Sequence, residues 1–228
     1  MRSFAAWPAP LPGGGTAQET ALVFDQRRGP RLLVLPALFD EANKMRRQTV
    51  EVMHRLDLSG IDSVLPDLPG TNDSLEELRE QTLANWKMGA KIAFDHFEAT
   101  HVLTIRHGAL IVPPDTPDWR YSPKKGKSLL RHLLRARAIA AKEAGIEETT
   151  AAIEAQARQH GVDLTGWRIG AALFDDLMNA EPSTNGQSFD IAQSDLGGAG
   201  LWLRAEPGEE PEQADTLAAI ISMGMLEP

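Results

Sequence analysis

Five side chains of this sequence are of types that do acid–base or anion chemistry: Glu41, Asp67, Asp73, Arg106 and His107. Carboxylates accept protons, an imidazole passes them on, and a guanidinium holds developing negative charge. Asn43, Lys44, Arg46 and Arg47 follow Glu41 directly. At a helix N-terminus they would join free N–H groups and the helix dipole in gripping an anion. The plainer reading of 40–47 is a solvated first turn in which Asp40 and Glu41 complement that dipole. Asp67 and Asp73 flank Pro69-Gly70, where Asp either lines a cleft or bonds its own turn. Arg106 can hold a phosphate or carboxylate bidentately, or it can pair with Asp67, Asp73 or Glu41 and plug the space between them. His107, next to Gly108, reads as a hydrogen-bonded structural residue or as a proton carrier.

These residues need elements to position them. Arg31-Leu-Leu-Val-Leu-Pro36 and Gly60-Ile-Asp-Ser-Val-Leu-Pro66 are short apolar runs of the buried-strand type. Between them Met45, Val52, Met53 and Leu56 repeat near 3.6, the pattern of an amphipathic helix. Strand, helix and strand make a βαβ unit and a parallel sheet. Such sheets carry their sites on the loops after the strands, here 36–47 and 67–74. His101-Val-Leu-Thr-Ile105 is a third strand, which puts Arg106 and His107 at its end. Ser74 with Glu77 has the form of a capping box, predicting a helix from Ser74 to Phe97. Helices are also expected over 127–145, 147–160, 166–178 and 209–223, with short extended pieces at 119–123, 189–191 and 200–204. Residues 1–20, rich in Pro and Gly, predict an irregular arm, and 21–228 a single domain.

Composition narrows the function classes. The 228 residues carry a formal charge of −9, which argues against general nucleic-acid binding. There is no cysteine, so disulfides, thiol nucleophiles and thiolate metal sites are excluded. This fits a reducing, cytoplasmic setting. No run of eighteen apolar residues predicts a transmembrane helix, and the N-terminal residues do not read as a secretory leader. Asp95, His96 and His101 lack metal-ligand spacing, so no metal is expected, and no cofactor is implied. Lys124-Lys-Gly-Lys-Ser128 imitates the end of a phosphate loop but lacks its earlier glycine and a preceding strand. Lys124, Lys125, Lys127, Arg131, Arg135 and Arg137 still concentrate positive charge on one helix of an acidic chain. That patch is either a solvated face or a surface for an anionic partner or membrane.

Pro36-Ala-Leu-Phe-Asp-Glu-Ala-Asn-Lys-Met-Arg-Arg47 resembles the loop-and-helix signature of the exosortase A system-associated hydrolases, the second type in particular. Pro66-Asp-Leu-Pro-Gly-Thr-Asn-Asp-Ser74 is similar to their turn after the next strand. Trp119, Pro123, Gly126 and Lys127 resemble a Trp-x-Pro…Gly-Lys segment, and Gly200-Leu-Trp-Leu-Arg-Ala-Glu206 with Pro211 resembles their C-terminal stretch. The first segment is specific; the others gain from their order between Arg31 and Thr216. The resemblance implies an α/β-hydrolase fold, here trimmed, with a mainly parallel sheet flanked by helices. It also implies a place beside exopolysaccharide and protein-sorting systems.

The chemistry of that fold needs a serine on a strand-to-helix turn, written G-x-S-x-G. The corresponding residues are Thr104-Ile-Arg-His-Gly108, with Arg106 at the serine position and a glycine kept only at 108. A guanidinium is no nucleophile at neutral pH. No histidine occurs in 161–228, where the base would follow the last strand. The segment after the turn is short and ends at Pro113-Pro114, so its helix is truncated or absent, or 101–112 is one long strand. Three functions stay open. The first is an α/β-hydrolase-like protein without a Ser-His-Asp triad, binding a small molecule or a pathway protein. The second is an atypical hydrolase or acyl transferase built on Glu41, Asp67, Asp73, Arg106 and His107. The third is an interaction subunit using the 124–137 helix and the 113–118 loop. A homo-oligomer is compatible with each, and no serine is expected to stand against an imidazole.

Overall fold

The computed structural model describes residues 2–183 and 186–226. The chain opens with β1 (Arg2–Pro10), β2 (Thr16–Phe24) and β3 (Arg31–Leu35), followed by α1 (Asp40–Leu58) and β4 (Asp62–Pro66). Then come α2 (Leu83–His96), β5 (His101–Ile105), β6 (Asp118–Tyr121), α3 (Gly126–Glu143) and α4 (Thr150–His160). The hairpin β7 (Val162–Leu164) and β8 (Trp167–Ile169), α5 (Ala171–Asn179), β9 (Ser188–Ile191), α6 (Gln193–Leu196) and α7 (Pro211–Leu226) complete it. Seven strands form one sheet in the order β1-β2-β4-β3-β5-β6-β9. Its β4-β3-β5-β6-β9 portion is parallel, while β1–β2 and β2–β4 are antiparallel.

The alternation of a strand divides the core between the two faces of this sheet. In β3, Leu32 and Val34 meet Met45, Val52, Met53 and Leu56 of α1 and Leu217 and Ile221 of α7. Leu33 and Leu35 point the other way, into the cluster of Trp7, Trp86, Leu130 and Phe174. Helices thus cover both faces, as a parallel sheet requires. The expected βαβ unit is present as β3–α1–β4.

Four expectations are corrected. Residues 2–20 are not an irregular arm: they form β1 and most of β2, paired from Arg2↔Phe24 to Pro10↔Thr16. β1 is an edge strand, where proline is tolerated because only alternate residues bond the neighbour. No helix begins at Ser74. Its hydroxyl accepts from Gly70 N at 2.9 Å and Glu76 N at 3.1 Å and donates to Glu19 Oε1 at 2.5 Å, closing the 67–74 turn. The helix starts at Leu83 instead, capped by Thr82, whose Oγ1 accepts from Asn85 N at 3.0 Å. Residues 166–170 carry β8 rather than a helix start. Residues 200–204 hold a 3-10 turn, Leu201–Leu203, not a strand.

After β5 the chain makes only a 3-10 turn, Arg106–Leu110, before crossing to β6. A helix is missing at the place where the sheet presents Arg106. Gly108 makes this crossing close. A Cβ there would sit 2.6 Å from the Pro36 carbonyl oxygen and closer still to that of Leu35, both backbone atoms that cannot swing aside. Gly108→Ala is therefore expected to lose about 1–3 kcal/mol in urea unfolding, the usual scale of overpacking. Gly13→Ala, with open space around it, should leave the midpoint unchanged.

Candidate functional site

The C-terminal ends of β3 and β5 bring Glu41, Arg106 and His107 together. Arg106 has φ +55°, a left-handed conformation uncommon for a side chain of this size. It aims the guanidinium across the sheet end toward the first turn of α1. Nε lies 2.9 Å from Glu41 Oε2 and Nη2 3.1 Å from Oε1, a two-pronged ion pair. Nη1 donates to the Ser122 carbonyl at 3.3 Å. The indole of Trp202 closes over the group, with Arg106 Cζ 3.9 Å from the ring centroid. Arg106 is 6% exposed. Delocalised charge, fork geometry and ring stacking are what suit arginine to such a buried position.

His107 stands beside this pair. Its Nδ1 is 3.4 Å from Glu41 Oε2 and forms no hydrogen bond among the described residues. Its Nε2 is 3.4 Å from Ser128 Oγ on the first turn of α3. The Ser128 hydroxyl is exposed and donates to the Lys125 carbonyl at 2.7 Å. A serine thus does stand against an imidazole, contrary to expectation. The tautomer with its proton on Nδ1 would align carboxylate, imidazole and hydroxyl, at separations longer than the 2.6–3.2 Å of a working relay. Sequence reasoning placed Ser128 only in a false phosphate loop. Nothing local signals that α3 returns to His107, 21 positions earlier in the chain.

The other candidates are dispersed. Asp67 is buried and bonded to Arg46 Nη1 at 3.1 Å and to the Asn72 amide, so it binds neither the cleft nor its own turn backbone. Asp73 and Asn43 are exposed. Lys44 lies 3.4 Å from Asp40, and Arg47 pairs with Glu209 at 2.5 Å. The grouping of Asn43, Lys44, Arg46 and Arg47 as one anion cradle is therefore corrected: successive residues on a helix point to different sides. Among the described residues no cluster of His, Asp and Glu has the form of a metal site.

An open cleft of about 690 Å³ lies beside the ion pair, lined by Arg106, Ser122, Lys124, Asp190, Gln193 and Trp202 among others. Asp190 is engaged by Arg120 at 2.6 Å. Gln193 accepts from the Tyr121 hydroxyl, whose pKa burial pushes up to about 12. Gln193 and Trp202 were not singled out from sequence as site residues; the likeness around 200–206 is the one signal that touched Trp202.

Burial pushes the Glu41 carboxyl up, but the facing His107 and Arg106 more than reverse this and hold it at about 2, against 4.5 ordinarily. A lowered folded-state pKa means stability that is full above pH 4.5 and lost as pH falls through 2. The shift corresponds to about 3 kcal/mol. Glu41→Gln should remove that part of the acid dependence. By stranding a buried guanidinium it should also cost about 3–5 kcal/mol at pH 7 in urea unfolding. A mutant whose stability between pH 5 and 2 parallels the parent's would refute the assignment.

No family model and no curated protein matches the chain. Solved structures do. A protein of Agrobacterium vitis S4 that carries the name of a hydrolase is 16% identical with TM-score 0.52, covering 99% of each chain. The bottromycin epimerase BotH, solved with bottromycin A2, is 12% identical with TM-score 0.53 over 98% of this chain and 100% of its own. The α/β hydrolase GrgF from Penicillium sp. sh18 is 14% identical with TM-score 0.50 over 78% of this chain and 73% of its own. At such identities the likeness concerns the fold alone. The chain has an α/β-hydrolase-like fold, trimmed after β5 and ending its sheet at β9.

Proposed function

We propose that this α/β-hydrolase-like protein works without a Ser-His-Asp triad and acts by binding a ligand or partner, in the exopolysaccharide and exosortase A setting that its 36–47 segment suggests. The observation that carries the reading is the clamp at the turn after β5. Arg106 fills the nucleophile position, is tied to Glu41 by both prongs and is roofed by Trp202. A guanidinium so held neither attacks nor transfers a proton. What it leaves is a cleft with one aromatic wall, the Gln193 amide and the Lys124 ammonium, a few polar groups of the kind that orient a small ligand.

The contact of Ser128 with His107 favours a second reading, an atypical hydrolase or acyl transferase. In it the Ser128 hydroxyl turns from Lys125 to His107, loses its proton to Nε2 and attacks an acyl carbon, while Glu41 steadies the imidazolium. The leaving group takes the proton back, and water then repeats the sequence on the acyl-serine.

One set of experiments separates the two. The protein is treated with a fluorophosphonate probe and assayed on short acyl esters, thioesters and glycan esters, alongside Ser128→Ala and Arg106→Ala. The binding reading expects no adduct and no turnover. It also expects fragments found by ligand-observed NMR to quench Trp202 in the parent and to be lost in Trp202→Ala. Labelling of Ser128, with turnover lowered about a hundredfold or more in Ser128→Ala, would establish the second reading. Turnover abolished by Arg106→Ala would likewise count against the first.

A further inference from the structure

Lys127, Arg131, Arg135 and Lys142 of α3 are all exposed and, among the described residues, none forms an ion pair. Their spacings of four, four and seven place them on one stripe of the helix, within about a quarter-turn. The stripe runs about 22 Å at 1.5 Å per residue. Other cations nearby are engaged: Lys125 with Glu181 at 2.6 Å and Arg137 with Glu148 at 2.8 Å.

Beside the stripe a groove runs between α3, the connection 144–149 and the first turns of α4, with Met178 of α5 at one end. One part, of about 260 Å³, holds Lys127, Arg131, Leu134 and Met178. The next, of about 560 Å³, holds Ala138, Ile139, Lys142 and Ile146, and Arg135 and Thr150 border both. Ile139 and Ile146 are 59% and 56% exposed, at the end of the helix pair. Two of the carboxylates on the rim, Glu148 and Glu154, are held by Arg137 and Arg158; Glu147 is the acidic side chain left there. A chain of net charge −9 has thus gathered cations without ion-pair partners among the described residues, one per helical turn over much of the stripe, along a groove whose larger part is apolar.

We infer that the α3–α4 groove receives an acidic amphipathic helix of a partner protein, its carboxylates spaced by turns against Lys127, Arg131, Arg135 and Lys142 and its apolar side chains on Ile139 and Ile146. The inference deepens the partner-binding part of the proposed function, but at a surface separate from the Arg106 cleft. Helix-in-groove binding uses anchors at i, i+3 and i+4, and the repeat of the cations matches that period. The apolar side chains line a hollow rather than a ridge, which suits a helix better than a flat bilayer surface.

The test uses the full chain and a fluorescein-labelled peptide of about five helical turns, with Glu at every fourth position and Leu on the adjoining stripe. Anisotropy should show saturable binding that weakens as salt rises. Arg131→Glu with Arg135→Glu should weaken it about tenfold or more, as should Ile139→Ser with Ile146→Ser. Circular dichroism melts of both variants should match the parent, since all four positions are exposed. Equal binding of a scrambled peptide of the same composition would overturn the inference, as would no binding, or binding unchanged by the charge reversals. Sedimentation with phosphatidylglycerol vesicles that the same reversals abolish, without peptide binding, would assign the stripe to membranes and overturn it too. Fragment binding is read at Trp202, so failure at the cleft and failure at the groove remain distinct.

Discussion

One buried ion pair organises the centre of this molecule. Arg106 and Glu41 come from different strand–loop units, yet they meet with both prongs formed and with little of either side chain exposed. Taking such charges out of water is expensive, and the pair is tolerable only because its remaining valences are met. Ser122 takes one N–H, Trp202 covers the guanidinium face and His107 stands against the carboxylate. Arg106 has a positive φ, the 3-10 turn at Leu201–Leu203 carries Trp202, and the first turn of α1, from Asp40, carries Glu41. Gly200 belongs to the same arrangement, because a Cβ there would run into the Trp202 ring.

The shortened connection after β5 gives the site its second feature. With no helix between β5 and β6, α3 is the element that closes over His107, and its first turn brings Ser128 within reach. The same connection leaves Pro113-Pro114 on a tight path, where Thr116 Oγ1 donates to the Pro113 carbonyl at 2.8 Å. The short connection and the approach of a hydroxyl to the imidazole thus occur at the same place in the fold.

Local patterns predicted what local forces decide. The apolar runs at 31–36 and 60–66 and the 3.6 repeat between them gave β3, α1 and β4, because a buried parallel strand and an amphipathic helix each write their period into the sequence. Arg106 and Glu41 were legible as neighbours because parallel strands deliver their loops to one end. The errors arose where distant contacts overrode local ones. Pro8 and Pro10 spoke against a strand, but β1 is held by its pairing with β2 and by the buried Trp7. Ser74 has the sequence of a cap, but its hydroxyl goes to Glu19 and the turn backbone, 55 positions away in the first case. Ser128 and Trp202 reach the site from 21 and 96 positions beyond His107 and Arg106, and no spacing rule covers such a distance.

The clamp also makes the present state hard to leave by a single step. A serine placed at 106 would put a hydroxyl at that turn, but it would leave the Glu41 carboxylate without its two guanidinium bonds and the Trp202 indole with nothing to cover. A catalytic descendant built on that turn would need position 41 to change in concert, and Trp202 to find a new packing partner. Mutual dependence of this kind acts as a ratchet on sequence drift: once the two charges have closed on each other, each protects the other from replacement.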